Sequence, residues 1–229
     1  KVESINWQPN IIVFGGTEEK RPYLKDFGKW LVGQHGFITN FELNKTTEEE
    51  LFAPKDNEHD ILLPDNKYEK INTREYNCLN IYDAIETLST TYGFTGIEPN
   101  TILLGFSDST KYKDRFCKML SNISKLDKNI LLMHFNDDAG FGNKKIIDIW
   151  ITQDEPDSIF AINLVKMLWL DENWAQSLLR LNVVSTDNSS YSFIYNKLDN
   201  ILQQMRIPGQ IRIINNALDN KPLNELIQT

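Results

Sequence analysis

The strongest constraint on this chain is an alternation. Short apolar runs rich in β-branched residues recur along it, and a segment with helical apolar spacing follows most of them. Asn10–Phe14 (NIIVF) and Thr101–Gly105 (TILLG) are buried-strand runs. Phe37–Leu43, Ile71–Glu75, Asn129–Phe135, Ile146–Ile151, Leu178–Val184 and Gln210–Asn215 are read as further strands. Between them, Leu24, Phe27 and Leu31 share one helix face, as do Ile81, Ala84, Ile85 and Leu88. Tyr112, Phe116, Met119, Leu120 and Ile123 form another such face, and Ile194, Leu198, Ile201, Leu202 and Met205 the cleanest one. Strand–helix alternation over the whole length implies an α/β fold, a largely parallel sheet with helices on both faces and right-handed crossovers.

Local chemistry sharpens the boundaries. Pro22 opens the first helix and Gly33 closes it. Thr46 and Glu49 have capping-box spacing. Ser158–Trp169 is apolar nearly all round, so it is buried on more than one side, either as a core helix, the commoner case, or as the segment that meets a partner subunit. The turn NDDAGFGNKK, starting at Asn136, divides the chain. Residues 1–140 form a first α/β half, with a strand–helix corner at 10–33 and an irregular insert at about 44–70. Residues 141–229 form a second half, expected to pack on the first and to be truncated at its C-terminus.

Length and charge exclude several functions. The 229 residues suffice for a substantial core. A net charge of −8 argues against general binding to nucleic acid or to anionic membranes. No apolar run reaches the 18 to 20 or so residues that cross a bilayer, and no signal peptide opens the chain. It begins at Lys1, as a piece of a longer protein would. Cys78 and Cys117 are expected to be free core thiols. The sequons at Asn44, Asn122 and Asn188 matter only in a secreted chain.

The first corner, FGGTEEKRP, poses the question of a phosphate site. After Gly15-Gly16 the chain lacks both the Walker pattern and G-x-G-x-x-G, and Glu18 and Glu19 stand where an anion would approach. A corner that needs glycine for its backbone is the commoner reading. Gly105–Thr110 (GFSDST) sits where open sheets bind ligands, although its hydroxyls also suit a helix cap. His35, His59 and His134 lack ligand spacing, and His134 is read as a core residue. There is no G-x-S-x-G elbow, and Cys117 has no activating histidine in sight. Asp137-Asp138 and Asp154-Glu155 read as solvated turns, and Trp150, Trp169 and Trp174 as packing residues. No catalytic residue, cofactor-binding residue or metal ligand is assigned.

A family resemblance goes further. Arg21, Pro22, Leu24 and Phe27 match an R-P-x-L-x-x-F segment. GIEPNTILLGF (Gly96–Phe106), KKIIDIWI (Lys144–Ile151), the acidic DEPD turn and ENWAQSLLRLNVV follow in order. Together they resemble the cytosolic C-terminal domain of cation–chloride cotransporters and their prokaryotic permease relatives. The resemblance spans about Trp7 to the end. Ile151 replaces a tryptophan of the pattern, the region between Phe41 and Ile71 is short, and the chain stops at KPLNELIQT before one more expected strand.

The resemblance implies two Rossmann-like halves related to universal stress proteins. It implies a non-catalytic regulatory domain that forms homodimers and needs no cofactor. It places the domain on the cytoplasmic side of the membrane, with Lys1–Trp7 tethering it to a transmembrane transporter and no insertion of its own. Whether ions or amino acids are carried stays open. Two alternatives remain beside it: a nucleotide-sensing domain of the universal-stress type, and a doubly wound enzyme of unrecognised activity.

Overall fold

The computed structural model describes residues 7–15, 21–33, 36–52, 71–93, 98–106, 110–152, 158–187, 190–219 and 221–227. They belong to two compact units, Gln8–Gly140 and Phe141–Thr229, with Trp7 grouped with the second.

The first unit holds a wholly parallel five-stranded sheet in the order β3-β2-β1-β4-β5. Its strands are β1 (Asn10–Phe14), β2 (Phe37–Lys45), β3 (Ile71–Cys78), β4 (Thr101–Gly105) and β5 (Asn129–Met133). The chain winds outward from β1 to β3, then returns across the sheet to β4. This reversal places the crossover helices on opposite faces. α1 (Pro22–Val32) covers the face of Val13 and Ile38. Gly28 permits this close approach, because a Cβ there would meet Ile38 Cδ1 at 2.5 Å. α3 (Ile81–Thr91) and α4 (Lys113–Ile123) cover the other face, where Ile85, Leu88, Met119 and Ile123 pack on Ile12, Phe14, Phe41, Ile102 and Leu104. Burying each such side chain contributes about 1.5–3 kcal/mol.

β2 runs to Lys45, and α2 (Glu48–Leu51) follows it. The capping box falls one residue later than its spacing suggested. Thr47 Oγ1 accepts from the Glu50 amide at 3.3 Å, and Glu50 Oε2 accepts from the Thr47 amide at 3.0 Å. Thr46 donates its hydroxyl to Glu50 as well, at 2.7 Å, so Glu50 rather than Glu49 closes the box. The rest of the insert, residues 53–70, lies outside the described residues.

The second unit holds a wholly parallel three-stranded sheet, β6 (Ile146–Thr152), β7 (Leu178–Ser185) and β8 (Gly209–Asn215), in that order. Both crossovers step in the same direction, so right-handed connections place both helices on one face. α5 (Ser158–Trp169) and α6 (Tyr191–Met205) pack together on Ile149, Ile151, Leu179, Leu181 and Val183. Helices on both faces therefore describe the first sheet; in the second, the described crossover helices share a face.

The composition of α5 is explained within the chain. None of residues 159–169 is exposed, and Ile162 and Val165 lie in the core cluster. Val165, the position at which a partner was expected, is buried in this core together with residues of β6 and β7. α6 ends at Met205, where Arg206 turns left-handed (φ 57°) ahead of Pro208. Beyond β8, Asn216 exchanges two 2.8 Å hydrogen bonds with the Lys221 backbone, and a short helix, α7 (Leu223–Ile227), follows.

Candidate functional site

The connections from β1 and β4 leave toward opposite faces, and between their carboxyl ends lies the crevice where open α/β sheets take ligands. Here the protein's own side chains line it. The Gly15 amide donates to Asn40 Oδ1 at 3.4 Å, and Asn40 is fully buried. Asn40 in turn donates to Glu42 at 3.4 Å, and Lys25 Nζ lies 3.1 Å from the same carboxylate oxygen. Lys25 and Glu42 are both largely withdrawn from water, so this pair ties α1 to β2 in surroundings that strengthen it.

Across the crevice, the Arg21 guanidinium lies on the backbone of Gly105. A Cβ at Gly105 would stand 2.7 Å from Arg21 Nη1. Arg21 occupies the N-cap position of α1, yet its side chain makes no capping bond. Tyr23 stacks on Phe135 with centroids 4.2 Å apart and planes 6° from parallel. The two glycine corners singled out in the sequence thus meet through Arg21. Residues 16–20 and 107–109, which include Glu18, Glu19 and the GFSDST hydroxyls Ser107 and Ser109, lie outside the described residues.

The other candidates separate. His134 follows the end of β5 and is exposed beside Phe106, with centroids 6.2 Å apart; it is not a core residue. β5 is an edge strand whose residues are only partly covered, so its apolar run misled the assignment. Cys78 is buried at the end of β3, and burial, followed by the charge of Asp83, pushes its thiol pKa up. Cys117 is exposed on α4, which corrects its expected place in the core. Asp137 and Asp138 lie in an exposed turn held by Asn136 Oδ1, which accepts from the Asp138 and Ala139 amides. His35, His59, Asp154, Glu155 and Asn188 lie outside the described residues. Among the described residues, no group of three or more His, Cys, Asp or Glu is placed to hold a metal ion, and no helix is long and apolar enough to cross a membrane.

What the structure does bring together is the set of resemblance motifs, in pairs. Arg21 of the first meets Gly105 of the second. Asn100, in the second, accepts from the Asn10 amide at 3.1 Å and donates to the Gln8 carbonyl at 2.8 Å. Asp148 of the third receives a two-point ion pair from Arg180 of the last, plus a 2.9 Å bond from Asn182. Lys144 Nζ lies 5.8 Å over the Trp174 ring, and Ser177 donates to the Lys144 carbonyl at 2.5 Å. Burial pushes the Asp148 pKa up. The bonds from Arg180 and Asn182, with the charges of Arg180 and Arg212, outweigh that and hold it below the ordinary aspartate range. Residue-type spacing could not reveal these pairs, because each joins segments far apart in the chain.

A doubly wound parallel sheet followed by a second parallel sheet defines an open-sheet α/β domain with two Rossmann-like halves. Among solved structures, it is similar to the cytoplasmic domain of a prokaryotic cation chloride cotransporter. The match has a TM-score of 0.67 at 16% identity and covers 91% of this chain and 79% of that one. At that identity the likeness is one of fold. No protein-family model and no curated sequence relative matches the chain.

Proposed function

We propose that the chain is the cytosolic regulatory and dimerisation domain of a membrane cation–chloride cotransporter or a related permease, with no catalytic role of its own. The observation that carries this reading is the fold likeness to a cotransporter's cytoplasmic domain over 91% of the chain. The pairing of the resemblance motifs supports it, since these residues have a structural use in holding the fold. Regulation then takes the form of linkage: a change in the domain's association shifts the balance between transporter states. The test is flux. The full-length parent, reconstituted in vesicles, is assayed for coupled cation and chloride uptake with and without residues 1–229. Uptake whose rate changes several-fold on deletion is expected. A parent that moves no solute, or moves it identically without the domain, contradicts the reading.

A nucleotide-sensing role is favoured by one observation. Arg21 sits at the crevice with no ion pair among the described residues, as a phosphate-binding guanidinium would. Calorimetry with millimolar ATP decides it. Heat that disappears in Arg21→Gln supports a site, and no heat removes one.

A further inference from the structure

Positive charge gathers on α4 and the turns that flank it. Residues 111–128 hold six Lys and Arg against two Asp, whereas the whole chain holds 24 cations against 32 acids. Lys111, Arg115, Lys118 and Lys125 recur at spacings of four, three and seven residues, which align on one face of a helix. Met119 and Ile123 carry another face of α4 into the core of the first unit, and all four cations are exposed. Lys111 belongs to the turn before α4 and Lys125 to the turn after it, so the row runs the length of the helix, roughly 20 Å.

Among the described residues, none of the four cations forms an ion pair. The acids nearest in the fold are Asp114 on the same helix and Glu86 on α3, and Glu86 accepts from Asn122 Nδ2 at 3.0 Å instead. In a chain with an excess of carboxylates, such a row is positive charge left for an anion outside the fold. At its Lys111 end, Tyr112 is 48% and Phe106 41% exposed, and Lys111 Nζ stands 5.2 Å over the Tyr112 ring. Exposed rings beside cations are the make-up of surfaces that rest on lipid headgroups. The row is also convex, on the outside of a helix. A specific acidic peptide is held by fixed geometry in a groove, whereas an array of headgroups needs only charge at the surface.

We propose that this face of α4 binds the anionic phospholipid headgroups of the membrane's cytoplasmic leaflet. Lys111, Arg115, Lys118 and Lys125 meet the headgroup phosphates and carboxylates, and Tyr112 settles beside them without crossing the interface. The proposal rests on the reading of the chain as the cytosolic domain of a membrane transporter, which keeps it beside that leaflet. The net charge of −8 then orients the domain, because the leaflet repels its acidic remainder and attracts the α4 face.

Co-sedimentation of the 229-residue chain with vesicles tests it. Vesicles of phosphatidylcholine mixed with phosphatidylserine should carry the chain down at low salt. Vesicles of phosphatidylcholine alone should not, and raising the salt should release it. Arg115→Gln/Lys118→Gln/Lys125→Gln should weaken binding about tenfold or more, while Lys45→Gln/Lys197→Gln/Lys221→Gln, which removes equal charge elsewhere, should change it about twofold at most. Circular dichroism checks that both variants are folded. No binding to the mixed vesicles overturns the proposal and leaves the transporter reading to the flux assay. Equal loss in the two variants assigns the attraction to overall charge and overturns the α4 face. Binding to polyglutamate with none to vesicles gives the row to an acidic protein and overturns the lipid assignment. Headgroup binding that follows α4, in a parent that moves no solute, keeps this surface and removes the transporter reading.

Discussion

Arg180 and Asp148 face each other across the β6–β7 ladder, 32 residues apart in sequence, with Arg180 Nε on Asp148 Oδ1 at 2.7 Å. The pair lies on the face of the second sheet opposite α5 and α6, because neighbouring residues along a strand alternate sides. Asn182, next to Asp148 in this network, is almost fully buried, and Trp150 lies opposite it in the ladder. Two motifs that are separate in the sequence are thus one cross-strand lock.

The lock predicts an acid dependence. Asp148 has a lowered pKa in the folded state, so its contribution is present above the ordinary aspartate value of about 3.9 and is lost as the pH falls through the lowered one. Asp148→Asn should be less stable than wild type at neutral pH, with the difference shrinking as acid protonates Asp148 in the wild-type protein. Urea unfolding followed by tryptophan fluorescence at several pH values measures this. A difference that grows with acid would refute the lock.

Burial of α5 predicts a core phenotype. Ile162 is fully buried, and Ile162→Ala should cost about 2–5 kcal/mol. Val165→Glu would place an unpaired carboxylate in the same core and should unfold the second unit. Thermal melts followed by near-ultraviolet circular dichroism distinguish this from the separation of folded subunits. A folded, merely dissociated Val165→Glu protein would return α5 to the interface.

Tight packing before β2 predicts intolerance at Gly36. A Cβ there would collide with the Pro9 carbonyl and stand 2.8 Å from Val32 Cβ. Because backbone atoms cannot yield as a flexible side chain can, Gly36→Ala should cost about 1–3 kcal/mol in denaturant titrations. An unchanged midpoint would show that this corner has room.

These elements also show how far the sequence could be read. β1, β4 and α5 have the boundaries expected, because unbroken apolar runs ending at glycine or a turn leave little choice of ends. β3 runs to Cys78 where Ile71–Glu75 was legible, since a polar edge strand lacks the apolar signal. α7 went unread because LNELI is too short to show a period. The long-range contacts were hidden for a different reason. Arg21 on Gly105 and Arg180 on Asp148 depend on strand order and register, which tertiary pairing sets and local spacing does not encode.

The capping box of α2 makes a local prediction. Hydrogen bonds from the Thr47 backbone and then the Thr46 and Thr47 hydroxyls lower the Glu50 pKa. The turn is therefore held at neutral pH and released as acid protonates Glu50. Amide chemical shifts of Thr47 and Glu50 should move together on acidification, and Glu50→Gln should move that transition or abolish it. Independent titration of the two amides would rule out the box.

The most direct measurement is where the native protein resides. Cell fractions are probed with an antibody raised against residues 71–152. The expected result is a band much larger than 26.6 kDa that stays in the membrane pellet through alkaline extraction, as a domain joined to about a dozen spans of about 20 residues would. A 26.6 kDa band in the soluble fraction alone would contradict the assignment to a transporter.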